Sequence, residues 1–483
     1  MLPRDAGKTA CPPARYGWTR RPRSRFLTLD LGKRGIRLFS AADNPEWGAV
    51  IDDVWAISNV LYFDTEHRAL QRADIEICDN EIVAITPPTT SSVPTRMNGH
   101  GLVCTPGLVN GCLVDGDGTS EAASGVERAA RLGDALRQAV MRGVTTVGVF
   151  SRRAEADIAL ITKAGVRASL YREYMDIWLG PEPRAVEHDV AACLRDYDKL
   201  MRRFDGALLA IQPAVGSQLA ASTQLLTGLH EAAKKRNGRF VIRVDGGAPW
   251  AESFRDAYGC SGLALLRSLD VVDAHTLIVP TAQMSPLERS HLRKCHTNVV
   301  HDIQELDGRP GRRGEIARTD ITGRPRASLH WGAGPLPGPG DLAPARDDDR
   351  AGDVIDVLTW KGAQAVQFPE TGRVAVGLRA DLLLYDLRLL PGQASMRLAC
   401  ADVLDMLVRH APQGVLVDGR WVVRAPALLT RGPGRRYADP LAFGRIGAEP
   451  ARAFDALSAV GDASGAGELS DLDREHASRD VAL

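Results

Sequence analysis

The sequence predicts an α/β fold class: a (β/α)8 TIM-like barrel plus a β-sandwich formed from N- and C-terminal segments. In the middle of the chain, helical segments alternate with short apolar strands, and eight such βα units would close a parallel barrel. Near both ends, short strands rich in β-branched residues occur, and they can pair only if the chain's beginning and end meet. A length of 483 residues suffices for one barrel-sized domain with appendages.

The N-terminal part predicts an extension followed by antiparallel strands. Residues 1–49 are rich in Arg, and we expect a basic, disordered extension there. Strands are predicted at 54–57, 74–77 and 81–85, with Asp79-Asn80 as the turn between the last two. These strands belong to a predicted composite β-sandwich of residues 50–105 and 372–430.

The predicted barrel spans residues 106–371. Its helices are predicted at 126–142, 185–204, 222–237, 249–258, 286–294 and 354–367. Its strands are predicted at 144–150, 167–170, 207–211, 240–244, 276–279 and 298–301. Residues 307–349 are rich in Gly, Pro, Arg and Asp, which favours a long inserted loop. Strands at 380–385 and 414–423 return the chain to the sandwich, and residues 445–483 form a predicted polar tail.

The composition argues against a nucleic-acid-binding protein, a membrane protein and a disulfide-linked protein. The chain is 44% hydrophobic and 25% charged with a formal net charge of zero, which is typical of a globular protein and gives no basic excess for nucleic acid. No run approaches the roughly 18 apolar residues of a membrane span, so no membrane partner is expected. The eight cysteines form no CxxC pair, which favours a reduced, cytoplasmic setting over a disulfide framework.

Four stretches carry a family resemblance. They are DNEIVAI followed by GHGLVCTPGLVNG, then YGCSGLALLRSLDVVDAHTLIV, FPETGRVAVGLRADLLLYDL and VLVDGRWVV. In this order and spacing they resemble the amidohydrolase superfamily, specifically the aminohydrolase branch of deaminases and of chlorohydrolase-like triazine hydrolases. The resemblance covers about residues 50–430. It implies a barrel strand that leads into PGLVNGCLVDGDG, where the first part of a metal site would lie.

The resemblance also implies a metal site, and this chain departs from it. Active members hold zinc or iron with His-x-His after strand one, single His residues after strands five and six, and an Asp after strand eight. The metal-bound water becomes the nucleophile. The corresponding positions hold Cys112, Val114, Arg243, Pro280 and Gly332. Gly246 replaces the proton-shuttling Glu and Gln283 a substrate-contacting His, whereas His301 alone keeps the family's residue type.

These departures predict a protein without a metal cofactor. The family hydrolyses non-peptide C–N bonds in the manner of deaminases, and we expect this chain to be a pseudoenzyme with a binding or scaffold role. Two enzymatic alternatives stay open. His301 would activate Cys112 in a metal-independent enzyme for a small anionic or heterocyclic substrate. A non-standard metal site would instead draw on Cys112, Asp115, Asp245, His301 and His330.

Arg243, Asp245, Gln283 and His330 are the predicted ligand-binding residues. A buried guanidinium needs an anionic partner, which is Asp245 or Asp115 within the chain, or a carboxylate or phosphate on a ligand. A scaffold role would involve a homo-oligomer, or a hetero-oligomer with an active relative. The bulky His330 and Trp331, which would plug the old cavity, favour that role.

Overall fold

The computed structural model describes residues 54–113, 125–179, 186, 189–244, 250–280, 284–303, 327–330, 348–390 and 400–429. Its strands are β1 (Val54–Asp64), β2 (Ala69–Cys78), β3 (Glu81–Thr86), β4 (Arg96–Asn98), β5 (Leu102–Pro106), β6 (Leu108–Asn110), β7 (Val144–Ser151), β8 (Arg167–Glu173), β9 (Leu209–Val215), β10 (Phe240–Val244), β11 (Thr276–Pro280), β12 (Asn298–Asp302), β13 (Ala327–His330), β14 (Leu382–Asp386), β15 (Gly414–Val417) and β16 (Arg420–Arg424).

The described helices are Gly125–Met141, Ala154–Ala164, Val190–Phe204, Thr223–Lys235, Trp250–Tyr258, Gly262–Ser268, Pro286–Lys294, Asp348–Leu358, Trp360–Ala365, Cys400–Arg409 and Pro426–Leu429. Short 3-10 turns lie at Gln218–Ala220 and Leu387–Leu389. Local sequence sets several helix ends. Ser285 and Glu288 form a reciprocal capping box ahead of Pro286, and Gly165 ends a helix with a φ of 70°. Within the described ranges, no helix is long and apolar enough to cross a membrane.

Strands β6 to β13 form a closed barrel of eight parallel strands in chain order. The barrel closes where Leu329 of β13 lies opposite Asn110 of β6. Helices between successive strands pack on the outside, where Val147, Leu170 and Ile242 belong to the largest apolar cluster. This alternation of strands and helices confirms the predicted barrel.

A second sheet joins the two ends of the chain. Its strand order is β16-β15-β14-β5-β1-β2-β3, and β4 pairs with β1. The junction is the antiparallel pair of β14 and β5, in which Leu382 lies opposite Pro106. Asp79, at a φ of 53°, turns β2 into β3 as predicted. The predicted association of N- and C-terminal strands is therefore confirmed.

A buried ion network connects the barrel to this sheet. Arg167, at the amino end of β8, is fully buried and donates two hydrogen bonds of 3.0 Å to Asp381 and one of 3.0 Å to Asp418. Burial opposes the charged guanidinium, but the two carboxylates outweigh that cost and hold the pKa of Arg167 above its ordinary value. The amino end of the barrel is thereby tied to the strands that cover it.

Several predicted boundaries differ from the structure; the helix predicted at 185–204, for example, begins at Val190. The helix predicted at 354–367 is two helices, because Thr359 leaves helical geometry at φ −124° and ψ −105° while its hydroxyl donates to the Ile355 carbonyl. The predicted insertion of 307–349 runs too far, since a helix already begins at Asp348 and β13 lies inside the range. The predicted extension (1–49), the predicted tail (445–483) and most of the insertion lie outside the described residues.

Candidate functional site at the barrel mouth

The carboxyl ends of the eight strands define the barrel mouth, where enzymes with this architecture place their chemistry. Alternate residues of each strand face the barrel axis. The interior layer beneath the mouth is a closely packed apolar cluster. It consists of Cys112, Phe150, Tyr171, Ala214, Val241, Leu277, Val279, Val300 and Ala365. Any ligand at the mouth would therefore rest on an apolar floor of packed side chains.

Cys112 follows β6 and is fully buried in this layer. Its backbone N–H donates to the side-chain oxygen of Asn110 at 3.2 Å, which fixes the turn out of the strand. Burial raises the pKa of the Cys112 thiol, and the nearby Glu173 carboxylate adds to that effect, whereas Arg243 opposes both through its charge and a hydrogen bond. The buried thiol is therefore held in its neutral form.

Arg243 on β10 points into the barrel, since its neighbours Ile242 and Val244 pack on the helix side. The centre of its guanidinium lies 4.3 Å from the centroid of the Phe150 ring, a cation–π contact. Among the described residues, no carboxylate forms an ion pair with Arg243. Its guanidinium is thus held in place by an aromatic face and by Cys112.

Tyr171 and Gly148 complete the floor, and the sequence analysis missed both. The Tyr171 hydroxyl donates to the Gly111 carbonyl at 2.8 Å, and its ring meets Phe150 edge-on at 5.1 Å. A Cβ at Gly148 would lie 2.1 Å from the Gly111 carbonyl oxygen and 2.3 Å from the Tyr171 hydroxyl. The signal was an isolated Gly within the β-branched strand VTTVGVFS, which marks a close backbone approach.

His301 is fully buried, but the strand register places it away from Cys112. It pairs with Leu329, which packs between barrel and helices, whereas the preceding Val300 belongs to the interior layer. By strand alternation, the His301 side chain therefore faces the helix side of the barrel wall. The structure does not bring Cys112 and His301 together, and their catalytic roles stay predictions.

His330 and Asp302 lie on the axial side of the same two strands. They are register partners at the ends of β13 and β12. Each lies on the same side of its strand as the residue two positions earlier, Ser328 or Val300. Ser328 lies beside Gly111, which follows the adjacent strand β6. Both His330 and Asp302 are half-buried. Asp302 was missed by the sequence analysis, although a polar residue at the carboxyl end of a barrel strand is a signal for site residues.

Other predicted positions contribute less to the described site. Pro280, the last residue of β11, is buried, but Val279 and not Pro280 belongs to the interior layer. Seven further positions named in the sequence analysis lie outside the described residues. They are Val114, Asp115, Asp245, Gly246, Gln283, Trp331 and Gly332.

No family model and no curated protein sequence matches the chain. Solved structures do match. An atrazine chlorohydrolase from Arthrobacter aurescens complexed with zinc is 15% identical at a TM-score of 0.63, covering 81% of this chain and 98% of that chain. An adenosine deaminase from Xanthomonas campestris with bound zinc is 18% identical at a TM-score of 0.61, covering 81% and 97%. An amidohydrolase from an environmental sample of the Sargasso Sea is 19% identical at a TM-score of 0.58, covering 77% and 93%.

The chain has the amidohydrolase fold. The comparison spans the barrel together with the composite sheet, which confirms the fold that the sequence motifs predicted. At identities below 20%, it is the fold that is shared, and the residues at the mouth must be judged by their own chemistry.

The described residues do not fit the zinc that two of these amidohydrolase-fold structures contain. Zinc in proteins takes three or four Cys, His, Asp or Glu ligands around one point. In the part of the chain that the structure describes, no group of three such residues converges. Cys112 is buried as a neutral thiol beside the guanidinium of Arg243, and a fixed positive charge there disfavours a dication.

Proposed function

We propose that this amidohydrolase-fold chain is a pseudoenzyme that binds a small anionic ligand at the barrel mouth instead of hydrolysing a C–N bond. The observation that carries the proposal is the environment of Arg243. Its guanidinium stacks on Phe150 at 4.3 Å and contacts the Cys112 thiol. No carboxylate among the described residues pairs with this cation, which supports its availability to an anionic ligand.

The planar guanidinium suits a carboxylate or a phosphate, because it donates two parallel hydrogen bonds to either group. Stacking on Phe150 fixes the plane of the guanidinium before a ligand arrives, which reduces the entropy lost on binding. His330 and Asp302 lie on the axial side of the barrel wall, and they would contact the remainder of a bound molecule. The ligand class is therefore a small carboxylate or phosphate with a polar body.

The proposal includes a cytoplasmic location and self-association or assembly with an active relative. Seven cysteines lie within the described residues, and all seven are free thiols, which supports a reducing compartment. For assembly, the support is the predicted long insertion of residues 307–349, and chromatography with light scattering tests it.

Binding is tested by thermal unfolding of the full-length protein with benzoate, succinate and inorganic phosphate. A ligand at about 100 times its Kd stabilises the folded state by about 2.7 kcal/mol, which raises the Tm by several degrees. We expect at least one probe to do so in the wild type and to lose the effect in Arg243→Ala. Arg152→Ala is the matched control. Arg152 lies at the carboxyl end of β7, just as Arg243 lies near the carboxyl end of β10, but Arg152 pairs with Glu173 at 3.4 Å. If the probe raises the Tm of Arg243→Ala as much as that of the wild type, Arg243 does not bind the anion.

The loss of hydrolysis is tested separately by metal analysis and by assays with triazine, adenosine and aminopyrimidine substrates. We expect neither stoichiometric zinc or iron nor chelator-sensitive turnover. One tightly held metal ion per chain, with turnover that a chelator abolishes, contradicts the pseudoenzyme and leaves the ligand measurements unaffected.

A further inference from the structure

A second feature of the molecule lies on the outer ring of the barrel, away from the mouth residues. A cavity of about 590 Å3 opens between the helices Gly262–Ser268 and Pro286–Lys294. Its polar lining includes Arg267, Asp270 and Asp273, together with His291 and Cys295. The cavity thus combines a thiol, an imidazole and a cation, and the proposed function uses none of them.

The thiol and the imidazole are hydrogen-bonded to each other. Cys295 Sγ lies 3.4 Å from His291 Nε2. The two residues are four positions apart at the end of one helix, a spacing that places side chains on the same face. Both are partly exposed and line the cavity, so a small molecule can reach the sulfur.

The charges around His291 favour its neutral form. Partial burial lowers the pKa of His291, and the positive charges of Arg267 on the neighbouring helix and Lys294 on its own helix add to that effect. Asp270 and Asp273 also line the cavity, but the Asp273 carboxylate already bonds His230 at 3.0 Å and pairs with Lys234 at 3.6 Å. A neutral imidazole beside a thiol can accept its proton.

Five of the other six described thiols lack this combination. Burial raises the pKa of the Cys193 thiol to about 11 and that of Cys400 to about 12, and it raises the pKa values of Cys104 and Cys112 as well. Cys260 is as accessible as Cys295, since both are partly exposed. No hydrogen bond joins Cys260 to an imidazole within the residues that the structure describes. Cys260 is therefore a matched comparison.

We propose that Cys295 is a modification site, a reactive thiol that undergoes exchange with small disulfides and uses His291 as its base. His291 Nε2 accepts the Sγ proton, and the sulfur attacks one sulfur of the disulfide. The Cys295–sulfur bond forms as the disulfide bond breaks, and the departing thiolate takes the proton back from His291. The products are one mixed disulfide on the protein and one small thiol.

The test uses dithiodipyridine, a small neutral disulfide, with the full-length protein at neutral pH. We expect one fast-reacting thiol, located at Cys295 by peptide mass spectrometry, and loss of that phase in Cys295→Ser but not in Cys260→Ser. His291→Gln should slow the phase about tenfold or more, and the rate should then follow the ionisation of an ordinary thiol, near pH 8.5.

Thermal unfolding of each variant verifies that the fold is intact, and Cys295→Ala serves if the serine variant is unstable. Two results overturn the proposal: equal rates for Cys260 and Cys295, or a wild-type rate and pH profile in a folded His291→Gln protein. The first result would show that Cys295 is no more reactive than a comparable thiol. The second would show that His291 does not act as its base.

Discussion

Two inward-pointing arginines lie near opposite ends of the barrel, and they differ in their partners. Arg167 at the amino end contacts two carboxylates from the sheet, Asp381 and Asp418, at 3.0 Å. Arg243 at the carboxyl end contacts the face of Phe150 and the thiol of Cys112. The same residue type thus fastens the fold at one end and, among the described residues, has no carboxylate partner at the other.

This difference separates stability from ligand binding. A buried ion pair resists the loss of one partner, because the remaining charge is left without compensation in a medium of low polarity. Removing a cation that rests on an aromatic ring should destabilise the protein less, because no carboxylate in the described part of the chain would lose its partner. The buried ion pairs that stabilise the amidohydrolase fold therefore lie at the covered end of the barrel. Substitutions at the mouth are expected to change ligand binding more than stability.

The largest expected effect is at the covered end. Arg167→Met leaves Asp381 and Asp418 buried without their main partner, so we expect the free energy of unfolding to fall by about 3–5 kcal/mol. Urea denaturation followed by circular dichroism measures it. Arg379→Met is the control, because Arg379 is more exposed and lies 3.5 Å from Asp418. A loss below about 1 kcal/mol for Arg167→Met would mean that the network does not couple sheet and barrel.

An intermediate effect is expected beneath the mouth. In Gly148→Ala, the new methyl group would overlap the Gly111 carbonyl and the Tyr171 hydroxyl, and we expect a loss of about 1–3 kcal/mol. Gly133→Ala is the control, since Gly133 lies in a helix with no atom within 4 Å of the added Cβ, and it should stabilise by about 0.5–1 kcal/mol. Equal effects of the two substitutions on urea denaturation would show that the floor is not closely packed.

The smallest effect is expected for Arg243→Met. Loss of the contact with Phe150 should cost no more than about 2 kcal/mol, measured beside Arg167→Met in the same denaturant series. A double-mutant cycle with Phe150→Leu isolates the contribution of that contact. If Arg243→Met is as costly as Arg167→Met, Arg243 has a carboxylate partner of its own, as predicted for Asp245 or Asp115, and the comparison of the two arginines fails.

The sequence predicted the barrel and the joining of the chain's ends because both depend on local patterns. The strand at 240–244 and the helix at 286–294 match the structure residue for residue, since one is a buried β-branched run and the other begins with a capping box. Thr359 escaped prediction, because the periodicity of apolar residues does not record a change of backbone geometry at one residue.

The candidate site was less predictable. Arg243 was identified by its place in a family motif, but its contact with Phe150 joins residues far apart in sequence, and no local pattern encodes it. The side of the barrel wall that His301 faces depends on strand register, which a one-residue shift would invert. The pair of Cys295 and His291 was readable as a helical spacing of four, yet only the structure shows the cavity beside it.

The ion network of Arg167 also has a consequence for biosynthesis. Arg167 and Asp381 are 214 residues apart, so the ribosome completes most of the barrel before the carboxylate exists. During that interval a nascent chain would hold an uncompensated charge inside its interior and an open edge on β5, the strand that β14 later covers. We expect closure of the sheet over the amino end of the barrel to be a late step in folding, because it cannot occur before β14 and β15 have been synthesised.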